Sequence, residues 1–446
     1  MSPRHIRLST TAVKHAYTAA VYLLAFSLSG CGGGSGVPGI TRVPSASNTT
    51  YPAPTPDVTA ITHIVVIMQE NRSFDNLFNG FPGANTAQSG AMSNGTTARL
   101  RETNLAVPSD INHSHRGWYK EYAGGNLYFD LNAPKGEPAD YAYAYVNPNE
   151  IAPYWSLARA YTLADATFQS NNGPSFPSHQ YLIAGQSGEA DENPDASGAW
   201  GCDDPAGTRV GLIGPDGVDS GEVFPCFDYQ TVGDELDSAG VSWRYYTPAI
   251  GSSGGVWSAY DAIHHIRYGT DWTRNVISPE TTVLSDIANG TLPSVSWIVP
   301  NGGNSDHAPK ATGGPAWVSS VVNAVGGSKY WNSTVIFIAW DDWGGWFDHV
   351  PPPQVDDMGY GFRVPLIVVS PYAKHGYISH AVHESPVSIL AYIERRFGLA
   401  PLTARDAAAD ALGDCFDYTQ AVTPFIKVAP AKYPMVLTSK LPPDDD

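Results

Sequence analysis

"HIVVIMQENRSFDNLF", residues 63–78, opens as an unbroken apolar run and ends in a polar cluster of Glu70, Asn71, Arg72 and Ser73. Apolar residues without alternation fit a strand covered on both faces, as in a parallel sheet. With this strand placed over Ile61 to Met68, three further runs read the same way: Val295 to Val299, Thr334 to Trp340, and Val364 to Ser370. Helical punctuation separates them. Pro315 starts a helix that Gly326 stops, and Ser385 with Pro386 begins another, whose Val387, Leu390, Ile393 and Phe397 share one face before Gly398. Helices are also expected over Trp155 to Phe168 and Thr231 to Ala239, the latter followed by a strand from Val241 to Tyr246. This alternation predicts an α/β three-layer sandwich, a mainly parallel central sheet with helices on both faces.

In open α/β sheets, ligands sit beyond the carboxyl ends of the strands. The first strand delivers Glu70 and Asn71 there; "TVIFIAWDD" delivers Asp341 and Asp342. Three carboxylates at one sheet edge repel each other unless a cation neutralises them, so a metal is the simplest account. Taken singly, Glu70 and Asn71 also suit a helix cap, and the Asp pair a turn with Gly344 and Gly345.

The chain has 446 residues, 42% of them hydrophobic and only 15% charged, which is enough apolar material for a large core. Its 44 Gly and 36 Pro imply many loops. A net charge of -18, from 43 acidic against 25 basic residues, repels nucleic acid and anionic lipid alike, and no nucleic-acid partner is expected. Any phosphate must be held by a local cation.

Residues 1–31 read as an export signal: Arg4, His5, Arg7 and Lys14 precede an apolar stretch from Ala19 to Leu28, too short to span a bilayer. It runs into Leu28, Ser29, Gly30 and Cys31, which looks like a bacterial lipobox with Cys31 as the lipidated residue. The alternative is an ordinary cleaved signal, and either way the chain is expected in the cell envelope or outside it. Residues 32–58 read as a flexible tether and 59–446 as a single catalytic domain, in contact with the membrane through the lipid anchor. In that oxidising compartment Cys202 and Cys226 are expected to pair across a Gly/Asp/Pro-rich loop, a closure that stabilises on the order of 3 kcal/mol, leaving Cys415 as a buried thiol.

Two further signals carry chemistry. In "NNGPSFPSHQ", residues 171–180, Ser175 lies on a backbone stiffened by two prolines and suited to presenting a hydroxyl; its plain reading is a loop N-cap. Metal coordination is one way to activate such a hydroxyl. Histidines recur in polar loops: His113 and His115 in "DINHSH", His179, His307 in "NSDHAP", and His349 beside Asp348 in "WFDHVPPP". A neighbouring Asp, 306 or 348, raises the pKa of an imidazole it holds. His264 and His265 read as helical packing residues, and Trp340, Trp343, Trp346 and Phe347 as core and loop packing rather than a cage for choline.

"HIVVIMQENRSFDNLFNGFPG", "GPSFPSH", "LPSVSWIVP", "STVIFIAWDDWGGWFDHVPPP", "GFRVPLIVVSPYAKHGYISH" and "LTARDAAADALGDCFDYTQ" follow one another in order. Together they resemble the bacterial phosphoesterase family of acid phosphatases and phosphatidylcholine-type phospholipases C, within the alkaline phosphatase superfamily, over about residues 60–425. The resemblance implies that Glu70, Asn71, Asp341 and Asp342 are metal ligands together with Ser175, the nucleophile. It implies that His113, His307 and His349 line the phosphate pocket; His349 or His307 is then expected to protonate the leaving alcohol, with His113 also catalytic, and His115, His179 and Asp348 are expected to contact substrate. His179 stands where the phospholipases carry Arg, and their extra C-terminal β domains have no counterpart read after Phe425. Both departures tilt the expectation from a phospholipid head group toward a general phosphate ester.

The oxygen-rich ligand set favours one divalent ion, Ca²⁺, Mg²⁺ or Mn²⁺, with Zn²⁺ admitted if a histidine joins. A sulfatase of the same superfamily is the alternative, since Ser175, Phe176 and Pro177 match the start of an S-x-P-x-R motif whose Arg is His179 here. A catalytically silent, ligand-binding surface lipoprotein is the other. Nothing in the sequence reads on oligomeric state.

Overall fold

The computed structural model describes residues 58–443 apart from 197, 215–218 and 310. The expected export signal, Cys31 and all but the last residue of the tether therefore lie outside the described residues. No helix among the described residues is long and apolar enough to cross a membrane.

The centre is an eight-stranded sheet made of β1 (His63–Gln69), β2 (Thr162–Ala164), β3 (Trp243–Tyr246), β4 (Val276–Ile277), β5 (Val295–Ile298), β6 (Thr334–Trp340), β7 (Leu366–Val369) and β8 (Tyr377–Ser379). In space they run β4-β3-β5-β1-β6-β7-β2-β8. Every neighbouring pair is parallel except those that β7 makes with β6 and β2. All seven residues of β6 and all but the first of β1 are buried, so both sheet faces are covered. Each Val or Ile withdrawn there contributes about 1.5–3 kcal/mol relative to exposure.

The principal helices are α1 (Phe74–Phe78), α2 (His115–Tyr122), α3 (Ala152–Ala160), α4 (Ser175–Ala184), α5 (Val232–Ser238), α6 (Thr282–Asn289), α7 (Gly314–Gly326) and α8 (Val387–Phe397). Six of them form two packed groups, α3 with α6 and α7, and α4 with α5 and α8. Their ends follow the sequence punctuation. Thr231 caps α5 through a reciprocal box with Asp234, Pro315 sits in the first turn of α7, and Gly398 closes α8 at φ 68°, where only glycine is unstrained.

Three expectations need correction. The helix read over Trp155 to Phe168 stops at Ala160; the chain then forms β2 and a short strand, Thr167–Gln169, parallel to His383–Ser385. Short buried strands and a buried helix segment share the same apolar run, and here the open edges of β7 and β8 decide. The run at Val364 to Ser370 is a strand, but β7 is antiparallel, because a fully buried strand reads alike in either direction. His264 and His265 are exposed, and His265 bonds Asp228 and Asp234 rather than packing. Trp343, Trp346 and Phe347 pack with Trp118, Phe129 and Phe362 in a second core beneath the loops, and Trp340 is buried in the main core.

Candidate active site

Register builds the site. Gln69 lies beside Trp340 in the parallel pair, so β1 and β6 end flush and Glu70 steps off next to Asp341. The ladder continues past the strands, with Asp341 N donating to Gln69 O (3.0 Å) and Arg72 N to Asp342 O (3.0 Å). Between them Asn71 adopts φ 59°, a left-handed conformation Asn tolerates better than most residues, and its N–H donates to Asp341 Oδ1 at 2.8 Å. Gly344, also left-handed, packs so tightly on Asn71 that an added Cβ would lie 2.2 Å from its carbonyl oxygen.

The third component is α4. Ser175 is its first residue, directly after Pro174, so its Oγ lies at the positive end of a helix whose residues are all buried. That hydroxyl donates to Asp342 Oδ2 at 3.2 Å. One turn on, and therefore on the same face, His179 places Nε2 3.3 Å from Glu70 Oε2 and 3.8 Å from Asp341 Oδ2. Ser178 Oγ, between them, donates to Asp341 O at 2.5 Å and fastens the helix to the strand end.

His113 closes the other side. Its Nδ1 lies 2.7 Å from Ile111 O and its Nε2 2.8 Å from Asn71 Nδ2. A carbonyl can only accept, so the neutral ring carries its proton on Nδ1 and takes a hydrogen bond from the Asn71 amide, which turns Asn71 Oδ1 away from it. The His307 ring stands 5.8 Å from that of His113, its Nδ1 against Ala308 O. Glu70, Asn71, His113, Ser175, His179, His307, Asp341 and Asp342 are thus brought together.

Do these residues fit a metal? One ligand atom each from Glu70, His179 and Asp341 lies within 4.8 Å of the others, and Asp110, His113 and His307 form a second such group. Among the described residues, buried Asn71 Oδ1 and Asp341 Oδ2 meet no hydrogen-bond donor, a costly state that a bound cation relieves. The donor set fits a divalent ion.

The remaining expected residues lie in other groups. His349 bonds Asp75 through Nδ1 (2.5 Å) and Asn85 through Nε2 (3.0 Å), while both oxygens of Asp348 accept from Arg363, at 2.7 and 3.0 Å. Burial first, then Asp348, pushes the Asp75 carboxyl above its ordinary range. His115 bonds Asn172 O through Nδ1 (2.9 Å) and lines a cavity of about 470 Å³ with Asp191, Glu192 and Arg116. Burial raises the Glu192 carboxyl there to about 7. The cavity adjoins the serine loop, since its wall residue Asn193 accepts from Phe176 N at 2.8 Å. Cys202 and Cys226 form a disulfide, and Cys415 is a buried thiol.

Two supporting residues escaped the sequence reading. Glu121, buried in α2, accepts from Trp343 Nε1 at 2.7 Å next to the acidic pair, and burial pushes its pKa well up. Arg72 is fully buried and tied to Asp306 O (2.8 Å), Leu105 O (2.7 Å) and Asn76 Oδ1 (3.2 Å), pointing its charge into the scaffold. Arg72 stands in the polar cluster just after β1 and so carried a signal; Glu121 carried none.

Known proteins bear on this geometry. The chain is 26% identical to hemolytic phospholipase C of Pseudomonas aeruginosa, covering 81% of this chain and 56% of that one. It is 26% identical to phospholipase C B of Mycobacterium tuberculosis (82% and 80%) and 28% identical to non-hemolytic phospholipase C of Burkholderia pseudomallei (76% and 55%). It thus spans little more than half of two of these relatives. A solved structure of a protein in the alkaline phosphatase superfamily from Vibrio parahaemolyticus overlaps 79% of this chain and 69% of its own at 9% identity and a TM-score of 0.38, too loose to bear on the site. The family model that matches residues 61–400 spans the strand ends, α4 and all eight converging side chains, and by that match the chain belongs to the Phosphoesterase family.

Proposed function

We propose that the protein is a divalent-metal-dependent phosphoric ester hydrolase with Ser175 as nucleophile and a phosphoserine intermediate. The observation that carries this reading is the Ser175 hydroxyl at the head of α4, 3.2 Å from Asp342, on the helix face that also brings His179 to Glu70 and Asp341. Glu70, Asn71, Asp341, Asp342 and Ser175 supply oxygen and His179 a nitrogen; the oxygens favour Ca²⁺, Mg²⁺ or Mn²⁺, and the imidazole admits Zn²⁺. A bound divalent ion lowers the pKa of the serine hydroxyl and offsets the charge of the phosphoryl oxygens.

The chain's own groups do the rest. Asp342 Oδ2 accepts a hydrogen bond from the Ser175 hydroxyl and takes its proton as the oxygen attacks phosphorus. The amino end of α4 favours the anionic group. His307, beside His113, protonates the departing alcohol oxygen, and water cleaves the phosphoserine on the return path. His349 is better suited to holding Asp75. Phosphomonoester hydrolysis is among the slowest reactions in water, so positioning and charge neutralisation together must lower the barrier by about 20 kcal/mol.

The two phosphate readings, a general phosphatase and a phospholipase C acting on lipid head groups, share this machinery. The sulfatase alternative loses support because His179, standing at its motif's Arg, turns toward Glu70. Turnover of p-nitrophenyl phosphate, p-nitrophenyl phosphorylcholine and p-nitrophenyl sulfate, each with and without chelator, tests the proposal. Chelator-sensitive cleavage of either phosphate ester, abolished in Ser175→Ala, is expected; sulfate preference or full turnover by Ser175→Ala overturns it.

A further inference from the structure

A second cluster of metal-binding side chains lies among the segments 377–385 and 410–415. His383 and Cys415 are buried, at 1% and 0% exposure, and come together with Asp414. His383 Nε2 is 3.3 Å from Asp414 Oδ1, and Cys415 Sγ is 3.6 Å from the same oxygen. On the far side of the ring, His383 Nδ1 faces Asp410 Oδ2 at 2.8 Å.

These spacings match a coordination polyhedron. Around a tetrahedral zinc, with bonds of about 2.0–2.1 Å to nitrogen or oxygen and about 2.3 Å to sulfur, neighbouring ligands are separated by roughly 3.3 Å (N to O) and roughly 3.5 Å (S to O). The far side of the ring is compatible as well: a metal-bound imidazole regularly turns its other nitrogen to a carboxylate, and Asp410 stands 2.8 Å from Nδ1. Ser379 Oγ, 3.0 Å from Nε2 and 2.5 Å from Asp414 Oδ2, flanks the fourth corner, which falls to that hydroxyl or to water. The Asp410 and Asp414 side chains, 44% and 31% exposed, open the cluster to solvent and give an ion a way in.

We propose that His383 Nε2, Asp414 Oδ1 and Cys415 Sγ hold a structural zinc ion, apart from the proposed catalytic centre, with Asp410 fixing the ring from behind. Soft thiolate and imidazole select zinc over the hard ions that suit the oxygen-rich site. Binding breaks the Cys415 S–H bond and forms a Zn–S bond, the proton passing to solvent, together with the Nε2 proton if the ring is charged. Burial opposes a charged ring, but the carboxylates of Asp410 and Asp414 facing its two nitrogens outweigh it and push His383 up to about 11, so the metal-free cluster pairs a buried ring with two partly exposed carboxylates. The ion ties the strand His383–Ser385, which pairs with Thr167–Gln169 just ahead of the serine loop, to the turn at 410–415.

Cobalt titration of the chelator-stripped full chain tests this independently of catalysis. Expected are a near-ultraviolet thiolate-to-cobalt absorption that Zn²⁺ displaces, its loss in Cys415→Ser, at least tenfold weaker binding in Asp414→Asn, and its full retention in Ser175→Ala. A parent chain with no such absorption, or an absorption that survives Cys415→Ser, overturns the site, leaving an imidazolium held between carboxylates. Its loss in Ser175→Ala would instead assign it to the catalytic centre and equally overturn the proposal.

Discussion

Glu70, Asp341 and Asp342 on one hand, and Asp75 and Asp348 on the other, are two sets of buried carboxylates drawn from the same two stretches of chain, yet their charges are answered differently. Asp348 is gripped by both arms of the Arg363 guanidinium, which also stands 3.6 Å from Asp75. Glu70 and Asp341 face the imidazole of His179. A guanidinium is permanently charged, so the second set is complete as folded, whereas imidazole is a weak and reversible counter-charge that suits a site built for an exchangeable cation. In a third set, Glu394 beside Asp406 and Glu235, a proton is the answer: burial, then Asp406, pushes the Glu394 carboxyl up to about 10. Fixed cation, exchangeable cation and proton are three answers to one electrostatic problem, and only the exchangeable one leaves room for chemistry.

The contrast between these sets can be broken most severely at the nucleophile. Ser175→Ala should lower kcat/KM on a phosphate ester by about 10⁴-fold while leaving the urea midpoint unchanged, since it removes one hydroxyl from a catalytic unit. Next is the fixed cation. Arg363→Met strands buried carboxylates and should cost about 3–5 kcal/mol in urea unfolding. Asp341→Asn, which relieves like-charge repulsion, should leave stability in chelator unchanged or higher while weakening divalent-ion binding. Equal destabilisation by both would erase the distinction.

Smaller still is the ion's own effect. Added at one hundred times its Kd, the divalent ion should stabilise the chelator-stripped chain by about 2.7 kcal/mol, read as a rise in Tm, and Glu70→Gln should need far more ion for the same rise. The proton-held set offers the least. The Glu235 carboxyl, raised by burial from 4.5 to about 7, makes the folded chain bind more protons across that interval, so its stabilising contribution falls as pH rises through it. Glu235→Gln should flatten that loss and, after discounting for solvent around this half-buried group, gain about 1 kcal/mol at pH 8 over pH 4.5.

Much of this was legible without coordinates. Apolar runs without alternation marked β1, β5, β6 and β7, and prolines and glycines marked the ends of α7 and α8. The strand-end rule then pointed to Glu70, Asn71, Asp341 and Asp342. What escaped depends on partners far along the chain. Nothing near His179 in sequence shows that α4 lies against Glu70, and His349 reads as a phosphate-pocket acid because Asp75, which holds it, is 274 residues away.

The linear sequence by itself determined which segments withdraw from water and which polar residues stand at their ends, since burial follows from side-chain chemistry and period, both local. Only the tertiary structure decided that β7 runs backward, that Ser175 and His179 share a helix face over the acidic edge, and which carboxylates meet an arginine. The physical reason is that an electrostatic environment is a sum over neighbours in space, and a folded chain chooses those neighbours across hundreds of residues.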